Sequence, residues 1–320
     1  MKNIRETTHF SIVELAKGVF AALHNGKGAA FSNAGIIDLG GKTVVFDTTE
    51  TPIAGSELAR QALELTGNPA SIVIISHHHD DHWMGNQAFC AKTRIYSTEP
   101  ALQAMRLELE DLKNREEQES YYRHAIEENE AQARLEKDPK RIALLESAAR
   151  RNRYALEGLP SLAPRLPERT IKLEMCRKGL KRQARILPFY PAHTIGDCIL
   201  LLDKEKIAFI GDLGFFKTHP FMGSCIPLDW IERLKQLEAM QYKIYVPGHG
   251  PLGNTQDLAQ QREYIQLLGQ RVTQALVLKR DQQSVLEQPL PDFCSDWEPT
   301  LKRYQRNVEF LFDYHKKGNS

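Results

Sequence analysis

Apolar residues along this chain come in two rhythms. Before residue 98, and again from Ile186, they form short runs bounded by turn residues; between 98 and 157 they recur at helical spacing in a charged background. Ile36–Leu39 and Thr43–Phe46 flank Gly40-Gly41, and glycine supplies the positive φ values that a tight hairpin turn needs. Ser56–Leu65 predicts a helix with Leu58, Ala62 and Leu65 on one face, stopped by Gly67-Asn68-Pro69. Ile72–Ile75 is a continuous β-branched run, the pattern of a strand buried on both faces. Further strands are predicted at Ile186–Tyr190 and Tyr242–Val246, and at Ile199–Leu202 and Ile207–Ile210 around a turn at Asp203–Lys206. Ile231–Met240 reads as a helix.

The segment 98–157 is rich in Glu, Arg, Gln and Ala and has no glycine. Leu102, Met105, Leu109 and Leu112 predict one long helix; Asp138-Pro139, an N-cap followed by proline, predicts the start of a second, striped by Ile142, Leu145, Ala149 and Leu156. Pro160, Pro164 and Pro167 close the segment. The expected organisation is therefore an α/β framework at 1–97 and 161–255, a helical hairpin inserted at 98–160, and a mostly helical segment at 256–320 packed on the framework. The last helix is expected to start near Asp296 and Pro299 and to bury Leu301, Tyr304, Val308 and Leu311. The insertion is read as a pocket lid, a homodimerisation arm or a solvated spacer.

Charge narrows the functional classes. Forty-two Lys+Arg against 41 Asp+Glu leave a net +1 over 320 residues, which argues against a protein built to neutralise phosphates over a broad surface. A local basic stretch (Arg150, Arg151 and Arg153, then Lys178, Lys181, Arg182 and Arg185) has only Tyr154 as a nearby aromatic, so nucleic acid is not an expected partner and a small-molecule substrate is. No apolar run reaches the ~18–20 residues of a membrane span. The five cysteines (Cys90, Cys176, Cys198, Cys225, Cys294) form no CxxC pair, and the first residues carry no secretory apolar stretch. A cytoplasmic location is expected.

The chemistry sits at strand ends. The run to Ser76 leads into His77-His78-His79-Asp80-Asp81-His82, Ile186–Tyr190 leads to His193, Ile207–Ile210 leads to Asp212, and Tyr242–Val246 leads to His249. In open α/β sheets functional groups gather at the carboxyl ends of strands. Imidazole and carboxylate are good zinc ligands. His77 and His79, two apart, point the same way in extended backbone and can grip one ion, which His193 completes; Asp81 and His82 turn toward a second, which His249 completes, and Asp212 bridges. Two ions about 3.5–4 Å apart can share a hydroxide formed at neutral pH. No G-x-S-x-G elbow and no G-x-x-x-x-G-K-[ST] loop offers a competing chemistry.

His77-x-His79-x-Asp81-His82, followed in order by His193, Asp212 and His249, resembles the metallo-β-lactamase superfamily over residues ~15–255. The resemblance implies an αββα sandwich, two mixed β-sheets with helices outside. It also implies two divalent ions, zinc first and Mn2+ or Fe2+ as alternatives. His77, His79 and His193 would hold one ion, Asp81, His82 and His249 the other, with Asp212 between. Asp212 stands where the best-known zinc β-lactamases carry cysteine or no bridging ligand, so the pattern is more similar to the glyoxalase II, lactonase and ribonuclease Z branch. His79 departs from the flavodiiron pattern, which has glutamate there. The implied activity is hydrolysis of an ester, thioester or lactone by a metal-bridging hydroxide, with Asp81 and Asp212 catalytic. A phosphodiesterase or nuclease on the same metals, or an iron-dependent persulfide dioxygenase, are the alternatives.

His78 and Asp80 are read as spacers, Asp197 as a structural carboxylate and Asp47 as support for the metal loop. The aromatic loop after Asp212 is weighed equally as a pocket wall and as core packing, with Lys217 and His219 as candidate substrate contacts.

Overall fold

The computed structural model describes residues 2–111, 114–294, 297 and 301–318. Among them two mixed sheets form. The larger holds β1 (Lys2–Glu6), β2 (Phe10–Ala16), β3 (Val19–His24), β4 (Ala34–Asp38), β5 (Thr43–Phe46), β6 (Ala70–Ile74), β7 (Arg94–Thr98) and β8 (Arg169–Ile171), in that order. Pairing is antiparallel from β1 to β5 and parallel from β5 to β8. The smaller holds β9 (Met175–Lys178), β10 (Gln183–Pro188), β11 (Cys198–Leu202), β12 (Ile207–Phe215) and β13 (Ile244–His249), in order β13-β12-β11-β10-β9, with only β12 and β13 parallel.

The continuous apolar runs are explained by burial on both faces. In β5, Val44 and Phe46 enter the core between the sheets and Val45 the core beneath the helices. In β11 and β12, Leu200, Leu202 and Phe209 face the other sheet, whereas Ile199, Leu201, Ala208 and Ile210 face outward into a third core. Helices cover both outer faces. α1 (Pro52–Thr66) and α3 (Glu99–Asp111) pack on the larger sheet through Leu58, Ala62, Ala101 and Met105. α6 (Pro227–Met240), α7 (Thr255–Val277) and α9 (Leu301–Gly318) pack on the smaller, with short α8 (Gln283–Leu286) between the last two. This is the expected αββα sandwich.

Several elements differ from their sequence reading. α1 starts four residues early, because Thr51 caps it by accepting from the Ala54 N–H at 3.2 Å and Pro52 fits the first turn. β12 and β13 run past their apolar cores to include Asp212 and His249. Segment 98–160 holds three helices rather than two. α3 ends at Asp111, and α4 (Arg115–Leu135) starts anew where the Asn114 side chain accepts from the Glu117 N–H. α4 pairs with α5 (Pro139–Gly158), capped by Asp138 as predicted. α5 ties back to the framework: the Ser147 hydroxyl and an Arg150 N–H both donate to the Gly26 carbonyl. Tyr304, Val308 and Leu311 enter the outer core as expected, while Leu112, Asp296, Pro299 and the Leu301 side chain lie outside the description. None of the described helices is long and apolar enough to cross a membrane.

Candidate metal centre

The site forms where both sheets end on one rim. After β6 the chain turns at Ser76–His79 into α2 (Asp80–Trp83), a single turn carrying Asp81 and His82. The turn is pinned from below: Thr48 N–H donates to the His82 carbonyl, and the Ser32 hydroxyl donates to the Asp81 carbonyl. On the other sheet, pairing of β12 with β13 slips around Gly211, whose φ is 51°. Such a bulge re-aims the next side chain, and that side chain is Asp212.

The seven predicted ligands come together as two groups: His77, His79, His193 and Asp212 in one, Asp81, His82 and His249 in the other. In the first, His79 Nδ1 is 3.0 Å from His77 Nε2 and 3.2 Å from His193 Nε2. Asp212 Oδ2 is 3.4 Å from His193 Nε2 and 3.7 Å from His77 Nε2. In the second, His249 Nε2 is 3.1 Å from Asp81 Oδ2, and His82 Nε2 is 3.5 Å from that same oxygen. Asp212 turns its other oxygen, Oδ1, here, 3.0 Å from His82 Nε2 and 3.4 Å from His249 Nε2. One carboxylate thus faces both groups.

The supporting hydrogen bonds fix which nitrogens face inward. Asp47 accepts from the Ser76 N–H at 2.7 Å and from the Ser76 hydroxyl at 2.8 Å. The Ser76 oxygen is then left to accept from His77 Nδ1–H at 2.9 Å, so His77 Nε2 keeps its lone pair. Asp47 also takes His82 Nδ1–H at 2.8 Å, freeing His82 Nε2 in the same way. Ser224 holds His79 Nε2 at 2.9 Å and leaves Nδ1 facing in.

Electrostatics divide the two groups. Burial holds His77 and His193 well below the ordinary histidine range and His79 at about 4, so all three are neutral donors of lone pairs. Burial also opposes charge on His82 and His249, but Asp212 and Asp81 outweigh it; His82 rises well above its usual range and His249 to about 9. Burial would raise Asp212, yet His249, His82 and His77 bring it well below the carboxylate range.

These residues fit a pair of divalent cations. Asp81 Oδ2, His82 Nε2 and Asp212 Oδ1 are buried, converge on one another, and make no hydrogen bond of normal geometry. A cation at their centre replaces the protons that Asp212 and Asp81 draw onto His82 and His249, and it satisfies atoms that unpaired would cost about 1–3 kcal/mol each. Close packing preserves the arrangement, since a Cβ on Gly248 would overlap Asp212 Oδ1.

A cavity of about 410 Å³ opens over both groups. Phe31, Phe215 and Phe221 wall it, Glu108 of α3 and Arg303 of α9 reach its edge, and Asp80 lines it beside Asp81. The loop after Asp212 therefore supplies both walls and packing, for Phe216 is buried in the outer core. Lys217 and His219 do not serve this cavity. Lys217 is exposed, and His219 is buried against Tyr264, Trp297 and Tyr304, its Nδ1 3.1 Å from the Tyr264 hydroxyl, with burial lowering its pKa to about 4. His78 points to Glu108, Asp80 accepts from the Asp81 N–H, and Asp197 accepts two hydrogen bonds from Thr194, so none of the three joins the ligand groups.

The sequence reading had no signal for Phe31, Glu108, Arg303 or Asn33. Asn33 donates from its side chain to the Pro247 and Gly250 carbonyls and from its backbone to the Gly248 carbonyl, lashing the end of β13 to the larger sheet.

Comparison with known proteins agrees with this architecture. Among solved structures, a metallo-beta-lactamase from Pontibacter korlensis aligns with a TM-score of 0.56 at 15% identity, over 80% of this chain and 99% of that one. FIM-1 from Pseudomonas aeruginosa, in its mono-zinc form, aligns at 0.54 and 14% identity over 80% and 96%. A Hirschia baltica metallo-beta-lactamase aligns at 0.53 and 16% over 80% and 97%. At such identities the likeness is one of fold. No curated protein sequence matches the chain. The family model described as the metallo-beta-lactamase superfamily matches residues 28–249, more than half of the sequence and a span that contains every ligand candidate. The chain belongs to the metallo-beta-lactamase superfamily.

Proposed function

We propose that this protein is a hydrolase that holds two divalent metal ions, zinc first, and cleaves an ester, thioester or lactone of a small molecule. The observation that carries this reading is the single buried carboxylate of Asp212, which offers one oxygen to each of two convergent groups of ligand atoms. Bound there, two such ions lower the pKa of water toward ~7 and polarise a substrate oxygen. The chain supplies the rest. His77, His79 and His193 present neutral nitrogens on one side, and Asp81, His82 and His249 form the other. Phe31, Phe215 and Phe221 exclude water and orient the acyl group. Asp81 lines the cavity and, kept ionised by His82 and His249 against its burial, is placed to take the proton that the attacking water gives up and pass it to the departing alcohol or thiol.

The lining favours acyl chemistry over phosphodiester cleavage. A phosphodiesterase or nuclease needs a basic rim, and here Arg303 is outnumbered by Asp80 and Glu108. The basic stretch of the sequence is no such rim: Arg153 pairs with Glu130, Lys181 with Asp38, Arg182 with Glu205, and Arg185 with Glu174 and Asp203. The two-sided aspartate supports the resemblance to the glyoxalase II and lactonase branch. Five free cysteines suit a reducing, cytoplasmic setting.

Elemental analysis of the purified protein tests the reading, run on wild type and Asp212→Ala and paired with a screen of a thioester, a lactone, a cephalosporin and a bis-aryl phosphodiester. We expect two zinc ions per chain, fewer in the variant, and turnover of an acyl substrate that the variant loses by at least ~100-fold. Stoichiometric iron with oxygen uptake on a persulfide, or a protein with no bound metal, overturns it.

A further inference from the structure

Among the described residues that line the cavity, Arg303 is the one lysine or arginine, and neither the ligand groups nor the core accounts for it. It lies at the start of α9, well outside the 28–249 span that the family model matches. Its guanidinium stands 5.6 Å over the Phe221 ring and faces the cavity shared by His79, Asp81, Asp212 and His249. Its neighbour Lys302 is paired with Glu128 at 3.0 Å. Among the described residues, Arg303 itself has no carboxylate within ion-pair distance and no hydrogen-bond partner. Asp81 and Asp212 attract it from a distance, but both are turned into the ligand groups.

An arginine in such a place has a planar fork of donors and nothing to give them to. Keeping it largely out of water without a partner is costly. A bound anion removes that cost. A carboxylate matches the fork in shape, two parallel N–H···O bonds, and it matches the single positive charge. A phosphate dianion would exceed that charge in a lining that already includes Asp80 and Glu108.

We propose that Arg303 binds a carboxylate of the substrate, so that the enzyme acts on acyl compounds carrying a free carboxylate at the end of the cavity away from the labile bond. The inference rests on the hydrolase reading above and narrows its substrate class. It makes Arg303 a specificity residue, with Phe221 stacked beneath it as a platform and the flat walls Phe31 and Phe215 left for the apolar part of the acyl chain.

The test compares two thioesters on the as-purified protein: the mono-S-phenyl thioester of glutaric acid, and an isosteric analogue with an isopropyl group in place of the carboxylate. Wild type is expected to prefer the acid by roughly tenfold or more in kcat/KM. Arg303→Gln should erase the preference by raising KM for the acid roughly 10- to 100-fold, a far larger change than on the neutral analogue. Arg303→Lys should recover part of it, and Lys302→Ala, which removes the same charge one residue away, should keep it. An equal loss on both substrates in Arg303→Gln, or no preference in wild type, overturns the inference while leaving the hydrolase reading intact. If wild type cleaves neither thioester, the hydrolase reading is what failed. Calorimetric titration with glutaric mono-anilide then decides the inference: binding lost in Arg303→Gln and kept in Lys302→Ala upholds it, and binding that is equal in all three or absent from wild type overturns it.

Discussion

Asp47 coordinates nothing, yet it sets the direction of two histidines. Its two oxygens take the Ser76 N–H, the Ser76 hydroxyl and His82 Nδ1–H, and through Ser76 they reach His77. Its own backbone sits at φ 60°, a left-handed conformation that aspartate tolerates better than most residues. Asp47→Asn keeps the shape but replaces a charged acceptor by an amide that also donates. We expect metal affinity to fall about 10- to 100-fold with the fold intact, read by competition with a chromophoric chelator and by circular dichroism. At this scale the ligands were legible in the sequence because each follows an apolar run directly, so the strand that buries the run also aims the ligand. Arg303, Phe31 and Asn33 were not legible. Each acts across a distance in sequence that no local pattern encodes: Asn33 is held to Gly250, and Arg303 to Phe221. His219 misled for a related reason. A loop that starts at the site leaves it within a few residues, and the fold turns this histidine into the packing of α7 and α9.

Elements outside the sandwich shape the cavity. α5 reaches it indirectly: Arg151 stacks over the outer face of Phe31, 3.8 Å from guanidinium carbon to ring centroid, while Phe31 meets His249 edge to face at 4.9 Å. Arg151 also stands 3.6 Å from Glu50, whose pKa burial pushes up to about 8. Arg151→Ala removes a cation–π contact worth ~1 kcal/mol and strips a buried acid of its partner. We expect about 1–3 kcal/mol of lost stability in urea titration, and a KM that rises several-fold with kcat nearly constant, because one wall loosens while the ligands stay. The helical character of this region was plain from its composition. The break between α3 and α4 was not, because it contains no glycine or proline and depends on the Asn114 cap, a residue that helices also carry on exposed faces. α4 buries no residue, so little in its pattern distinguishes where it must begin.

On the scale of the molecule, two sheets are held together by the core between them and, at the rim, by the ligands themselves. Without cations the rim concentrates buried groups that lack partners. Chelation should therefore lower the melting temperature of wild type, by an amount set by ~4 kcal/mol for each site filled at a thousandfold excess over its Kd. Adding zinc back should restore it, and in Asp212→Ala the difference between chelated and zinc-loaded protein should shrink sharply. Differential scanning calorimetry reads all of these. The αββα arrangement was legible at this scale because its strands are buried on both faces and so lack the alternation of half-exposed sheets. The early strands β1 to β3 were legible only as a class, since Phe10–Ala16 buries little beyond Phe10 and Ile12.

The division of the ligands between the sheets also orders events in time. His77, His79, Asp81 and His82 belong to the larger sheet, and His193, Asp212 and His249 to the smaller. A ribosome adding about 5–20 residues per second needs roughly ten to thirty seconds to go from the first of these to the last. Until Asp212 emerges the nascent chain carries its histidines and Asp81 but no bridging carboxylate. An ion met then would be held by an incomplete set until β13 docks and Asn33 ties it down. The full ligand set would thus close on its metals only with β13, the last of the described strands to be made.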